Sequence, residues 1–402
     1  MTEDVRDALY PWLRLAVALL LSTIGGVGMW SVVVALPSVQ AEFGVARGAA
    51  SLPYTLTMIG FGFASIAMGR LADRVGIFIP VLIGAVLLAL GFVAASRAAT
   101  IGQFTLVQGV LIGVGSSVTF APLLADTSLW FTKNRGLAVG IIASGNYLAG
   151  TIWPPMLTYF MQTAGWRATY FGVALVCLAT MVPLALMLRR SAPAGVTTDA
   201  PQQSASTKTR VLGLSPAALQ ILLVVAGLSC CVAMSMPQVH IIAYCGDLGF
   251  GPGRGAQMLS LMLACGIASR LCFGWISDRI GGLRTLLLGS SLQALALLLF
   301  VRFDGLVSLY LISALFGLFQ GGIVPSYAII VREFFPAKEA GTRVSVVITA
   351  TMFGMALGGW MSGVIFDWLG SYRAAFINGV AWNLLNVGIA LWLWRRSTLP
   401  LR

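Results

Sequence analysis

Charge is scarce in this chain. Only 9% of its 402 residues are Asp, Glu, Lys or Arg, 58% are hydrophobic, and the mean hydropathy is +0.91. A soluble domain carries about 25% charged residues, so an ordinary soluble fold is excluded. Histidine occurs once, at His240, and no phosphate-cradling loop of the Gly-x-x-x-x-Gly-Lys-Ser/Thr kind is present. Hydrolytic and ATP-driven mechanisms therefore lack their parts, and neither an enzyme nor a cofactor is expected. The six cysteines, Cys177, Cys230, Cys231, Cys245, Cys265 and Cys272, lie in or beside apolar runs without metal-ligand spacing to a histidine. Structural disulfides are not expected there, and vicinal Cys230-Cys231 reads as soft packing. The opening residues MTEDVRDALYP mix acids with one arginine and lack the positive region of a cleaved signal, so the first apolar run is expected to stay.

What remains is apolar sequence in membrane-sized lengths, since a helix needs about 20 apolar residues to cross a bilayer. Twelve spans are expected, near 12–36, 50–70, 78–97, 101–126, 136–163, 168–188, 215–244, 254–277, 283–302, 306–331, 341–367 and 372–394. A stretch rich in Ala, Pro, Ser, Thr and Gln divides them, giving residues 1–188 and 215–402 as two halves and 189–214 as a solvated linker. With the amino terminus inside, eighteen of the 25 Lys and Arg residues fall on the inner face and six on the outer, leaving Arg270 within a span. That bias places both termini and the linker in the cytoplasm. The net charge of +12 thus marks membrane orientation, and no nucleic-acid partner is expected.

The halves repeat. Gly69, Asp73, Arg74 and Gly76, in GRLADRVG, recur 205 residues later as Gly274, Asp278, Arg279 and Gly281, in GWISDRIG. Gly165 and Arg167 are echoed by Gly370 and Arg373. Two parallel six-helix units are an architecture of secondary transporters, which bind substrate near the bilayer midplane between halves. The buried arginine has no copy. At insertion costs of about 2.5–3.5 kcal/mol, such a residue is a functional candidate, and no Asp or Glu lies deep in any span to neutralise it. A planar guanidinium holds a carboxylate through two parallel hydrogen bonds, so a small organic anion is the expected partner of Arg270.

The repeated loop resembles the signature of the major facilitator superfamily. WFTKNRGLAVGIIASGNYLAG (Trp130–Gly150), VHIIAYCGDLGF (Val239–Phe250) and SRLCFGWISDR (Ser269–Arg279) further resemble its monocarboxylate porter and oxalate–formate antiporter branch. The resemblance spans nearly the whole chain. It implies an all-α membrane protein of two pseudo-symmetric six-helix bundles and transport by alternating access. There are departures from the branch pattern. The oxalate carrier's lysine is missing from the eleventh span. The aspartate that animal carriers place one turn before the arginine is replaced by Gly266, and their first-span lysine is absent after Arg14. One cation thus points to one carboxylate rather than two.

Further candidates surround that cation. His240 and Tyr244 share one face of the seventh span and could gate the site, bond a carboxylate, or carry a coupled proton. Asn146, Ser117 and Thr119 offer neutral donors in the fourth and fifth spans, and Gln320 and Tyr327 do so in the tenth; each also suits helix packing. Gly25, Gly26 and Gly28 form a small-residue face on the first span. The Asp73-Arg74 and Asp278-Arg279 turns are expected to form a conformational latch, with Asp126 and Arg135 among its partners. The expectation is a monomeric twelve-helix transporter of lactate-, pyruvate- or formate-like anions in the cytoplasmic membrane, working by proton symport or anion exchange. A multidrug or other organic-solute efflux transporter is one alternative, though no acid lies in the path to attract cations. A transporter-like sensor that binds ligand without moving it is the other.

Overall fold

The computed structural model describes residues 2–131, 135–190 and 213–398, so the linker expected at 189–214 falls almost wholly outside it. The chain is helical throughout the described residues. Helices α1 to α4 occupy Tyr10–Phe43, Arg47–Val75, Phe78–Ser96 and Ile101–Trp130. Helix α5 comes in two pieces, Arg135–Ala143 and Gly145–Ala164, parted at Ser144. Helix α6 is Trp166–Leu186, α7 Pro216–Asp247, α8 Pro252–Ile280, α9 Gly282–Arg302, α10 Leu306–Phe334, α11 Ala337–Leu369 and α12 Tyr372–Thr398. Eleven of these stretches are individually long and apolar enough to cross a membrane; the break in α5 divides the twelfth. Large apolar side chains such as Trp368, Val307, Ile221 and Leu271 are exposed, which suits hydrocarbon and not water.

Helices α1–α6 and α7–α12 form two six-helix bundles. They meet along two seams, α2 against α11 and α5 against α8, with a lesser contact of α1 with α7. Glycine makes the first seam close. A Cβ at Gly363 would strike the backbone of Arg47, and one at Gly48 would strike Val364. Small residues let backbones approach in lipid, where no hydrophobic force drives helices together. The same reason applies to the glycine face of α1. A Cβ at Gly25 would collide with Thr119, at Gly26 with Ala149 and at Gly28 with Ser116.

The spans depart from regular helix at definite points. Helix α1 turns at Gly26, and α10 breaks between Gln320 and Ile323 at Gly321-Gly322, where Gly322 lies hard against Phe273. Helix α4 widens into a π-helical turn at Gln108–Gly113, and a Cβ at Gly109 or Gly113 would meet the α2 backbone. Each half also carries a buried polar anchor. In the first, Arg14 holds Asp126 through two bonds (2.9 and 3.0 Å) and donates to the carbonyls of Leu188 and Arg190, tying α1, α4 and the end of α6. In the second, Tyr327 donates to Asn386, which donates to Ser290, joining α10, α12 and α9.

Candidate functional site

Arg270 lies on α8 where that helix crosses α5, at the seam between halves. Its Nη1 donates to the Ala143 carbonyl, 2.7 Å away, at the break in α5. Its guanidinium carbon sits 4.1 Å from the centre of the Tyr147 ring. Its Nε is buried with no hydrogen-bond partner, and no carboxylate pairs with it among the described residues. The cation is therefore held by a π face and one carbonyl, with part of its donor edge unspent. Gly266 explains how this is possible. The Tyr147 ring lies against Gly266, where a Cβ would collide with it. The turn where the resemblance would place an aspartate is thus filled by an aromatic ring from the other half.

Asn146 shares this turn of α5. Its backbone carbonyl accepts from Trp30 Nε1 (3.2 Å), and its side-chain nitrogen lies 3.9 Å from the Met29 sulfur. The fold thus brings Arg270 and Asn146 to one place, with Tyr147, Met29 and Trp30 around them. The other sequence candidates stand apart. Ser117 donates to the Val114 carbonyl and Thr119 to that of Ser116, both buried within α4 and its packing on α1. Gln320 accepts from Gln238 (2.8 Å) between α10 and α7, with its own Nε2 buried and unpartnered. Tyr327 belongs to the buried network with Asn386 inside the second bundle.

His240 and Tyr244 do share a face, and that face packs on α12 near the bundle end opposite the termini, the one expected to face outward. His240 is fully buried; its Nε2 lies 2.7 Å from the Gly359 carbonyl and its Nδ1 3.0 Å from the Tyr372 hydroxyl. The carbonyl can only accept, so Nε2 carries the hydrogen and Nδ1 accepts from Tyr372. Tyr244 packs edge-on against Tyr372 and Phe376.

That tyrosine leads to a cluster sequence reasoning did not assemble. Arg47, at the start of α2, donates to the Tyr372 hydroxyl (2.7 Å) and to both oxygens of Asp247 (3.0 and 3.1 Å) at the end of α7. It stacks on Phe366, and Asp367 of α11 accepts from the backbone N–H groups of Arg47 and Gly48, each at 2.7 Å. One residue of the first half thus binds three helices of the second and ties the bundles together at this end. The signal was present in the sequence, as an arginine opening α2 and acids ending α7 and α11, but hydropathy does not say which helix ends meet.

At the opposite end, the one expected to face inward, Asp73, Arg74, Asp278 and Arg279 are exposed, and Gly69, Gly76 and Gly274 have open space around them. Arg279 stacks on Trp275 of its own helix. Asp126 is engaged by Arg14 of its own half, and the Arg135 side chain lies outside the described residues. Among the described residues, the bonds joining the halves, at Arg47, Gly48, Thr55, Ser260 and Arg270, gather at the end opposite the termini and at the midplane. The halves are thus fastened together at that end, while the turns at the other end are exposed.

Two pseudo-symmetric six-helix bundles of membrane-spanning length, bonded across their seam by Arg47 and Arg270, are the architecture of a membrane transporter. The family model of the Major Facilitator Superfamily matches residues 18–308 and 259–402, and the chain belongs to that superfamily. Monocarboxylate transporter 13 of Rattus norvegicus is 27% identical over 340 residues, covering 82% of this chain and 76% of the relative. The agnestins efflux protein AgnL12 of Paecilomyces divaricatus is 25% identical over 334 residues, covering 83% and 75%. A bacterial homolog of the human lysosomal transporter Spinster, solved in an inward-facing, occupied conformation, superposes with a TM-score of 0.75 at 14% identity, covering 97% of both chains.

Proposed function

We propose that this transporter moves a small monocarboxylate, of the lactate, pyruvate or formate kind, across the cytoplasmic membrane by alternating access, as a monomer with both termini in the cytoplasm. The observation that carries the reading is the unspent donor edge of Arg270 at the seam of the two halves. A carboxylate entering from the inner face takes that edge through charge-assisted bonds, which are about twice as strong as neutral ones. Asn146 supplies a neutral polar contact, and Met29, Trp30 and Tyr147 suit a short organic tail.

Binding neutralises the cation, which lowers the cost of closing the halves over it. The inner turns around Asp73-Arg74 and Asp278-Arg279 then come together, and the Arg47 gate parts. Return of the empty carrier would close the halves over Arg270 with only a π face and a carbonyl to hold its charge, which is costly. Exchange of one anion for another is therefore the mode this site favours. A proton carried on the substrate's carboxyl group or through His240 is the alternative coupling.

Uptake of radiolabelled lactate into proteoliposomes tests the reading. Saturable accumulation, lost in Arg270→Lys with insertion intact, is the expected result. Saturable binding without accumulation makes the protein a sensor. The likeness to a fungal efflux protein favours a second reading, export of a larger organic solute; lactate would then neither bind nor accumulate.

A further inference from the structure

The two halves end differently at their outer faces, although their sequences correspond. Glu42, Trp166 and Arg167 of the first half correspond to Asp247, Tyr372 and Arg373 of the second, at offsets of 205 and 206 residues. In the first half the acid stays at home. Glu42 accepts from Trp166 Nε1 and pairs with Arg167 at 2.6 Å. Arg167 also donates to the carbonyls of Ser96 and Ala98, where α3 passes to α4.

In the second half the corresponding acid has left its counterpart. Asp247 and Tyr372 are both taken by Arg47 from the other bundle. Arg373 instead pairs with Asp304 at 2.9 Å, where α9 passes to α10, the place corresponding to the carbonyls that hold Arg167. Both members of this pair are more than half exposed, so it is weakly held. Arg373 thus stands where its counterpart stands, with a substitute partner.

We infer that Asp247 is the moving contact of the outer gate, paired with Arg47 when the outer face is closed and with Arg373 when it is open. Withdrawal of Arg47 with the first bundle leaves Asp247 without a cation. Arg373 then completes in the second half the pair that Glu42 and Arg167 keep permanently in the first. The open state gains a partner for the acid that the closed state gives up, so neither state leaves Asp247 bare. The device rests on alternating access and not on the cargo, so a wrong assignment of substrate does not affect it.

The test is hydrogen–deuterium exchange of the full-length protein in lipid nanodiscs, read on peptides covering residues 44–52 and 360–373. Arg373→Gln removes the open-state partner and is expected to slow exchange at both peptides. Asp304→Asn frees Arg373 to compete for Asp247 and is expected to speed exchange. Shifts of about two- to fivefold in each direction match the strength of partly exposed pairs. A merely structural Arg373–Asp304 bridge would move both variants the same way, which would overturn the inference, as would no change in either. In an Arg47→Gln background, Asp247→Asn and Arg373→Gln should be non-additive; additive effects there would also refute the exchange of partners.

Discussion

Arg47→Gln is the perturbation that most plainly separates a gate from a fastening. The substitution removes the two bonds to Asp247, the donation to Tyr372 and the stacking on Phe366, which lies 4.6 Å from the guanidinium carbon. It leaves Asp367 on the α2 backbone, so the helix end keeps its cap. Breaking a fully buried ion pair costs about 3–5 kcal/mol. Here the Arg47 side chain is 10% exposed but that of Asp247 is 36%, and in the open state water and Arg373 take over part of the loss. A bias of about 1–3 kcal/mol against the closed outer face is therefore expected, a change of about 5- to 150-fold in the ratio of states. Exchange at residues 44–52 and labelling of outer-facing thiols introduced beside α2 would both accelerate. Ligand entry from the inner face would slow correspondingly. Unchanged exchange with normal transport would show that Arg47 fastens the bundle without gating it.

Three further outcomes follow from single contacts. Gly266→Asp forces the Tyr147 ring aside and offers Arg270 an acid one turn away; transport should fall because the acid competes with substrate, and KM should rise more than kcat falls. Tyr147→Phe should transport nearly normally and Tyr147→Leu poorly, since only the second loses the π face under the cation; equal losses, read from uptake kinetics, would point to the hydroxyl instead. Asp126→Asn leaves the buried Arg14 guanidinium without its counter-charge. The apparent Tm in detergent should drop, and Arg14→Met with Asp126→Leu should recover part of it.

The helical spans and the place of Arg270 on α8 were legible because hydropathy and the 205-residue repeat are local or periodic signals. The span ends were less so: α1 runs from Tyr10 to Phe43, beyond the expected 12–36, because the helix continues into the more polar residues that hydropathy leaves out. Pairings across the bundle left no such trace. Arg47 and Asp247 are 200 positions apart, and their meeting depends on how two bundles tilt together. Tyr147 was hidden for a related reason. Its role comes from what Gly266 lacks on another helix, and nothing in GNYLAG alone marks it as the floor beneath a cation. The turns around Asp73-Arg74 and Asp278-Arg279 were conspicuous as motifs, yet all four residues are exposed, and the motif alone does not say what they meet.

The most direct measurement is calorimetric titration of lactate into purified protein, wild type against Arg270→Lys. Lysine keeps the charge but loses the planar fork and the stacking on Tyr147. A saturable isotherm that weakens by about 10- to 150-fold in the variant, with its melting temperature unchanged, is the predicted result. Equal affinity in the two proteins would contradict the account.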